Sequence, residues 1–298
     1  MDELTFADAD GVQIFVRRWM PDGECRGHHR ARASEHSGRY ARVAEVLFKE
    51  DYAVYALDLR GHGRTAESTG RGRLGPSGVK GVLDDIAEVI RMAAGDVGDR
   101  PLVLFGHSMG SLFAQAFVEQ REHDLAAYAL SGAMGPMDGM DELAAGMREA
   151  ADAGMADEHL NMLGDFNAAF EPARTKDDWL SRDPDEVDKY VADPLCGEDL
   201  PLTYGYIAGM METLAATMEP EGIARTPKHL RVLLLTGEED PVSNGGAQVR
   251  ELEKSLREVG LAVTAKYYPG ARHEVLNETN RDEVHRDLIS WLDRVTEG

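Results

Sequence analysis

The sequence predicts a single α/β domain, a mostly parallel sheet covered by helices and interrupted by a helical insertion. Strand-like and helix-like segments alternate through both ends of the chain, as parallel strands joined by crossover helices require. The alternation stops between about 134 and 225, where Met-, Ala- and Asp-rich stretches carry turn signals at Pro136, Pro172, Pro184, Pro194 and Pro201. Finally, 298 residues with 43% hydrophobic and 29% charged composition suffice for a large globular core with an insertion.

In chain order, 13–20 reads as an early strand, 40–50 as a helix and 52–57 as a buried strand of mostly apolar residues. A helix is expected over 79–94, a short apolar strand over 102–105 after Pro101, a helix over 111–120 and a strand over 125–130. After the insertion come a strand at 232–235, a helix at 248–259, a strand at 262–268 and a helix at 283–295. The expected division is core 1–133, cap insertion 134–225 and core 226–298. Nine methionines lie in the insertion (Met134, Met137, Met140, Met147, Met155, Met162, Met210, Met211 and Met218). They read first as adaptable packing and second as a pliable wall for an acyl chain.

A net charge of −22, from 54 acidic and 32 basic residues, argues against nucleic-acid binding, which needs a clustered basic surface. The first residues contain neither a basic stretch nor an apolar run, so no secretory signal is expected. Cys25 and Cys196 lie far apart, without metal-ligand or redox spacing. A cytoplasmic protein with reduced thiols is the expectation. No His/Cys/Asp/Glu set has metal-site spacing, and no phosphate-binding glycine loop is present.

The motif with most chemical content is Gly106-His107-Ser108-Met109-Gly110, between an apolar strand and a helix. A serine on a sharp strand-to-helix turn projects its hydroxyl clear of the backbone, and flanking glycines relieve the crowding. The Met109 N–H, at the helix start, faces the space where an oxyanion would develop. A serine hydroxyl needs a base to take its proton and a carboxylate to orient that base. Asp240 follows the strand at 232–235, with Glu238 and Glu239 as chemical rivals, and His273 follows the strand at 262–268. The chain order Ser, Asp, His matches this requirement. His107 reads as a supporting residue, and His62, in a glycine-rich turn, as structural. His123, His159, His229 and His285 read as surface residues.

Glu35-His36-Ser37-Gly38-Arg39-Tyr40, Asp58-Leu59-Arg60-Gly61-His62-Gly63, Gly106-His107-Ser108-Met109-Gly110, Ser181-Arg182-Asp183-Pro184, Asp193-Pro194-Leu195 and His273-Glu274 together resemble the monoacylglycerol lipase and lysophospholipase family, over nearly the whole chain. The resemblance implies the α/β-hydrolase fold with a helical cap, and a triad of Ser108, Asp240 (over its glutamate neighbours) and His273. It further implies no cofactor, and a substrate that is a lipid ester with one acyl chain; transient contact with lipid surfaces stays open. Epoxide hydrolases and dehalogenases of this fold are disfavoured, because they carry an Asp where Ser108 stands. A short-chain carboxylesterase, a thioesterase or a peptidase with the same triad is the alternative enzyme, and a non-catalytic binding member the alternative of another class.

The sequence departs from the family before Glu35. An apolar strand ending in His-Gly is expected there, supplying the second oxyanion donor, but the chain reads Gly27-His28-His29-Arg30-Ala31-Arg32-Ala33-Ser34. Ala33 falls at the donor position. Burying two unpaired arginines in a central strand would cost several kcal/mol each, so the stretch is not expected to replace that strand. Codons for His28 to Arg32, read one nucleotide out of frame, can spell Ile-Ile-Val-His-Gly, and a reading-frame excursion is the expectation for 28–34.

Overall fold

The computed structural model describes residues 1–21, 36–160, 166–197 and 201–296. Glu35 and the segment 28–34, with Ala33 and the expected frame excursion, lie outside the described residues, as do Cys25 and Met162.

Strands β1 (Asp2–Ala7), β2 (Gln13–Trp19) and β3 (Val54–Leu57) form an antiparallel sheet in that order. Strands β4 (Leu102–His107) and β5 (Leu125–Ser131) begin a parallel sheet. β8 (Arg231–Gly237) and β9 (Ala262–Tyr268) complete it in the order β4-β5-β8-β9. Among the described residues β3 and β4 are each the last strand of their sheet. β1 is an addition to the sequence reading. Its alternation of exposed and half-buried residues, with charged Asp2 and Glu3, is the weak apolar signal of an outer strand.

The period-two alternation of strand side chains sorts the core into two layers. Leu102 and Leu104 of β4 and Val232 and Leu234 of β8 pack on one face with helices α3 (Gly78–Val97), α4 (Met109–Gln120) and α9 (Ala247–Glu258). Val103, Phe105, Leu233 and Leu235 pack on the other with α1 (Ala41–Lys49) and α10 (Arg281–Thr296). These helices and strands follow the sequence reading closely, with α2 (Ala66–Thr69) as a short addition.

The chain between β5 and β8 is helical at both ends and irregular between. It carries α5 (Met140–Ala150), α6 (Pro184–Ala192), α7 (Tyr204–Met218) and α8 (Pro220–Arg225). Two-residue strands β6 (His159–Leu160) and β7 (Leu202–Thr203) pair antiparallel, a feature too short for sequence periodicity to register. Asp183 caps α6, its side chain accepting the Asp185 N–H at 3.1 Å with Pro184 in the first turn. Residues Tyr206, Ile207, Met210, Met211, Leu214 and Met218 of α7 join the first core layer. Of the insertion's methionines, Met140, Met210, Met211 and Met218 are therefore buried packing, whereas Met137 and Met155 are exposed.

A buried guanidinium fastens the N-terminal hairpin. Arg60 is enclosed and bonded to Asp8, Asp10 and Asp85. Three carboxylates around one buried cation answer the desolvation cost that an isolated charge would carry. Burial nonetheless pushes Asp85 up to about 6, against the lowering effect of Arg60.

Candidate active site

β4 ends where α4 begins, and the turn between them is Ser108. Its φ of 50° and ψ of −126° put a non-glycine residue in a strained left-handed conformation. The close crossing explains the neighbouring glycine: a Cβ on Gly106 would overlap the Gly110 carbonyl. The Ser108 N–H donates to Ser131 O at 2.8 Å, fixing the turn to β5. Met109 is the first residue of α4, so its N–H has no carbonyl a turn earlier to bind and is available to an incoming oxyanion.

The β8 and β9 ends deliver the other two groups. Asp240 is fully buried, and its Oδ1 lies 3.1 Å from His273 Nδ1. The same carboxylate accepts the Val242 N–H at 2.9 Å and the Ser243 hydroxyl at 3.1 Å. Glu238 instead pairs with Arg250 at 2.8 Å, and Glu239 is exposed. Of the three acidic candidates, only Asp240 bonds the imidazole. Opposite a carboxylate, Nδ1 carries the ring proton, which leaves the Nε2 lone pair able to accept one. The ring of His273 sits 4.8 Å from that of His107, and a Cβ at Gly132 would come within 2.8 Å of His273 Cε1. A side chain at residue 132 would therefore collide with both imidazoles.

His107 bonds Ser131 Oγ at 3.3 Å through Nδ1, consistent with support of the turn. His62 bonds the Arg60 carbonyl at 3.0 Å, and burial lowers its pKa, as befits a turn residue. The surface reading of His285 is corrected: it is buried, with Nε2 3.2 Å from Leu276 O. An interior acceptor at the right distance let a polar ring enter the core.

The remaining motif residues gather at the seam between insertion and core. Arg39 pairs with Glu274, Arg182 with Glu278 at 2.9 Å, and His36 Nε2 with Asp193 Oδ2 at 2.8 Å. His36, Asp193 and Cys196 also bring three potential ligand atoms within 4.8 Å of one another, a set that sequence spacing did not reveal. Its chemistry is that of a hydrogen bond. His36 Nδ1 accepts the Gly38 N–H at 3.2 Å, so Nε2 carries the proton given to Asp193. A metal on Nε2 would require a proton on Nδ1, aimed at a donor, opposite to the usual arrangement around metal-bound histidine. Sequence reasoning had no role for Trp179 or Glu278. Only the Ser-Arg-Asp-Pro motif pointed toward their neighbourhood.

The fold and this strand-to-helix serine define an α/β-hydrolase-fold hydrolase. A family model described as serine aminopeptidase, S33, matches residues 29–280, and the chain belongs to that family. It is 30% identical to a monoacylglycerol lipase of Mycolicibacterium smegmatis, over 97% of this chain and 96% of that one. It is also 30% identical to the human monoglyceride lipase, over 97% and 89% of the respective chains. A thermostable carboxyl esterase from Bacillus coagulans, solved with glycerol, superposes with a TM-score of 0.92 at 26% identity, covering 99% and 98% of the two chains. Among the described residues, no helix is long and apolar enough to cross a membrane.

Proposed function

We propose that this protein is a serine hydrolase cleaving carboxylic esters of single-acyl-chain lipids, monoacylglycerols or lysophospholipids, through an acyl-enzyme on Ser108. The observation that carries the reading is the buried Asp240–His273 pair, its imidazole 4.8 Å from the ring of His107, the residue that leads into the left-handed Ser108 turn, in a chain similar over nearly its whole length to monoacylglycerol lipases. Ser108 Oγ attacks the ester carbonyl while His273 Nε2 takes its proton. The Met109 N–H stabilises the oxyanion, and Ala33 is the weaker candidate for a second donor. Collapse expels the alcohol, which takes the proton back from the imidazolium. Water then repeats the sequence and releases the acid, with Asp240 holding the ring throughout. No step calls for a cofactor.

Residues 134–225 form the cap of this reading, between core segments 1–133 and 226–298. Met137, Leu143 and Met155, exposed on it, suit transient contact with lipid surfaces in a cytoplasmic enzyme. The superposition on a carboxyl esterase favours one second reading, a short-chain esterase with the same triad. The test combines fluorophosphonate labelling with a substrate series. Wild type should label at one site and Ser108→Ala should not, with hydrolysis falling by at least about 10³-fold. A long-chain monoacylglycerol should exceed acetate esters in kcat/KM. The reverse preference selects the short-chain reading, and an unreactive wild type removes both.

A further inference from the structure

A single carboxylate joins the insertion to the histidine loop. Glu278, five residues beyond His273, is fully buried. Its Oε1 accepts two backbone N–H groups from opposite sides, Arg182 of the insertion at 3.0 Å and Arg272 at 2.9 Å. Its Oε2 accepts Arg182 Nε at 2.9 Å and the Thr279 N–H at 2.8 Å. Around this point the insertion continues along the loop. Leu180 O accepts the Glu274 N–H at 2.8 Å, and Trp179 O the His273 N–H at 3.4 Å. The Arg272 guanidinium donates to Asp178 O and Ser181 O, and the Trp179 ring lies 5.1 Å from the imidazole.

Asp240 holds one ring nitrogen, which orients the imidazole about its own bonds. Where the ring stands relative to Ser108 depends on the backbone of 272–274, and that backbone is bonded to the insertion. We propose that Glu278 is a positioning residue for the reaction, holding His273 at working distance from Ser108 by pinning the histidine loop to residues 178–182. The inference rests on the triad reading above. Glu278 suits this role because its oxygens face four N–H groups that can only donate, with the Thr279 hydroxyl at a longer 3.4 Å from Oε2. An amide of the same size would turn an NH2 toward either the two backbone N–H groups or Arg182 Nε and the Thr279 N–H, opposing donor to donor. The loop would then shift, and a misplacement of about 1 Å costs on the order of 10²-fold in rate.

The experiment compares Glu278→Gln, Arg182→Met and a stability control, Val89→Ala, which truncates a buried side chain of α3 in the first core layer. For each folded variant, kcat and KM on a short p-nitrophenyl ester, the fluorophosphonate labelling rate and the melting temperature are measured. Glu278→Gln should lower kcat about 10- to 100-fold, with KM little changed and labelling slowed in proportion. Arg182→Met, which keeps both backbone N–H groups, should show the same kcat-selective loss at a smaller size, and it carries the test if Glu278→Gln fails to fold. Val89→Ala should lose melting temperature and keep kcat. A Glu278→Gln or Arg182→Met protein with a lowered melting temperature but wild-type kcat and labelling rate would reduce Glu278 to a structural residue and overturn the proposal. If wild type itself does not label, the triad reading falls, and the inference falls with it.

Discussion

The insertion meets the core along two flanks built by different means. On one, residues 178–182 bond the histidine loop mainly through their backbone groups, with the buried Glu278 carboxylate at the centre. On the other, the buried Thr203 gives its N–H and its hydroxyl to the Gly72 carbonyl, at 3.0 and 2.9 Å, and beyond that attachment exposed side-chain pairs stand at the edge of an open groove. Arg73 of the core reaches Asp157, and Arg148 pairs with Glu212 at 2.6 Å within the insertion. Between Leu74, Val79, Tyr206 and Gly209 that groove encloses about 450 Å³. A buried acceptor shared by several donors has a defined geometry, whereas an exposed ion pair is screened and contributes about 0–1 kcal/mol. One flank can therefore place a side chain, while the outer edge of the other, above the buried side chains of α7, can yield to a guest.

The strongest way to break this contrast is at the proposed catalytic pair, Asp240 and His273. Asp240→Asn should lower kcat by roughly 10⁴-fold, while Glu238→Gln and Glu239→Gln leave it near wild type. A damaging Glu239→Gln would move the acid to another carboxylate. At the groove flank, a disulfide or proline stiffening the insertion should change acyl-chain preference more than activity on acetate esters, since small substrates use little of an acyl wall. Equal losses at all chain lengths would count against a selecting cap.

Away from both flanks, burial pushes Glu119 up to about 8 against the lowering effects of Gln115 and Arg225. A carboxyl whose folded pKa is raised adds stability below its unfolded pKa and loses it as pH rises toward the folded one. Melting temperature should accordingly fall between about pH 4.5 and 8 through this group, and Glu119→Gln should raise it at pH 9 but not at pH 4. A variant with an unchanged pH dependence of melting would show that Glu119 is ionised in the fold. The smallest effect is expected at Arg73→Ala, with a stability change under about 1 kcal/mol and kcat within measurement error. A large kinetic effect there would erase the difference between the flanks.

The parallel-sheet elements and the serine turn were legible because periodicity and local geometry write them into short windows. Apolar β4, the glycine-flanked Ser108 and the chain order through Asp240 and His273 needed no long-range information. Choosing Asp240 over Glu238 and Glu239 needed the family resemblance, because the carboxylates differ chemically by only one methylene. The clamp was invisible because Glu278 reads as an ordinary loop glutamate until Arg182 arrives from 96 residues away. His285 was misread for the same reason, its acceptor being a backbone carbonyl that no sequence pattern marks. The segment 28–34, where sequence and family part, lies outside the described residues, and so does the Ala33 donor position.

The backbone at Ser108 has one more implication. A φ of 50° at a residue bearing a Cβ stores on the order of 1–3 kcal/mol that glycine would not. On the proposed role of Ser108 as nucleophile, stability and chemistry make opposing demands at this position: the fold would be sturdier with a residue that could not carry the reaction. Selection for heat tolerance alone would drift toward a durable, inert protein. Selection for turnover must keep a locally uncomfortable chain and recover its stability elsewhere.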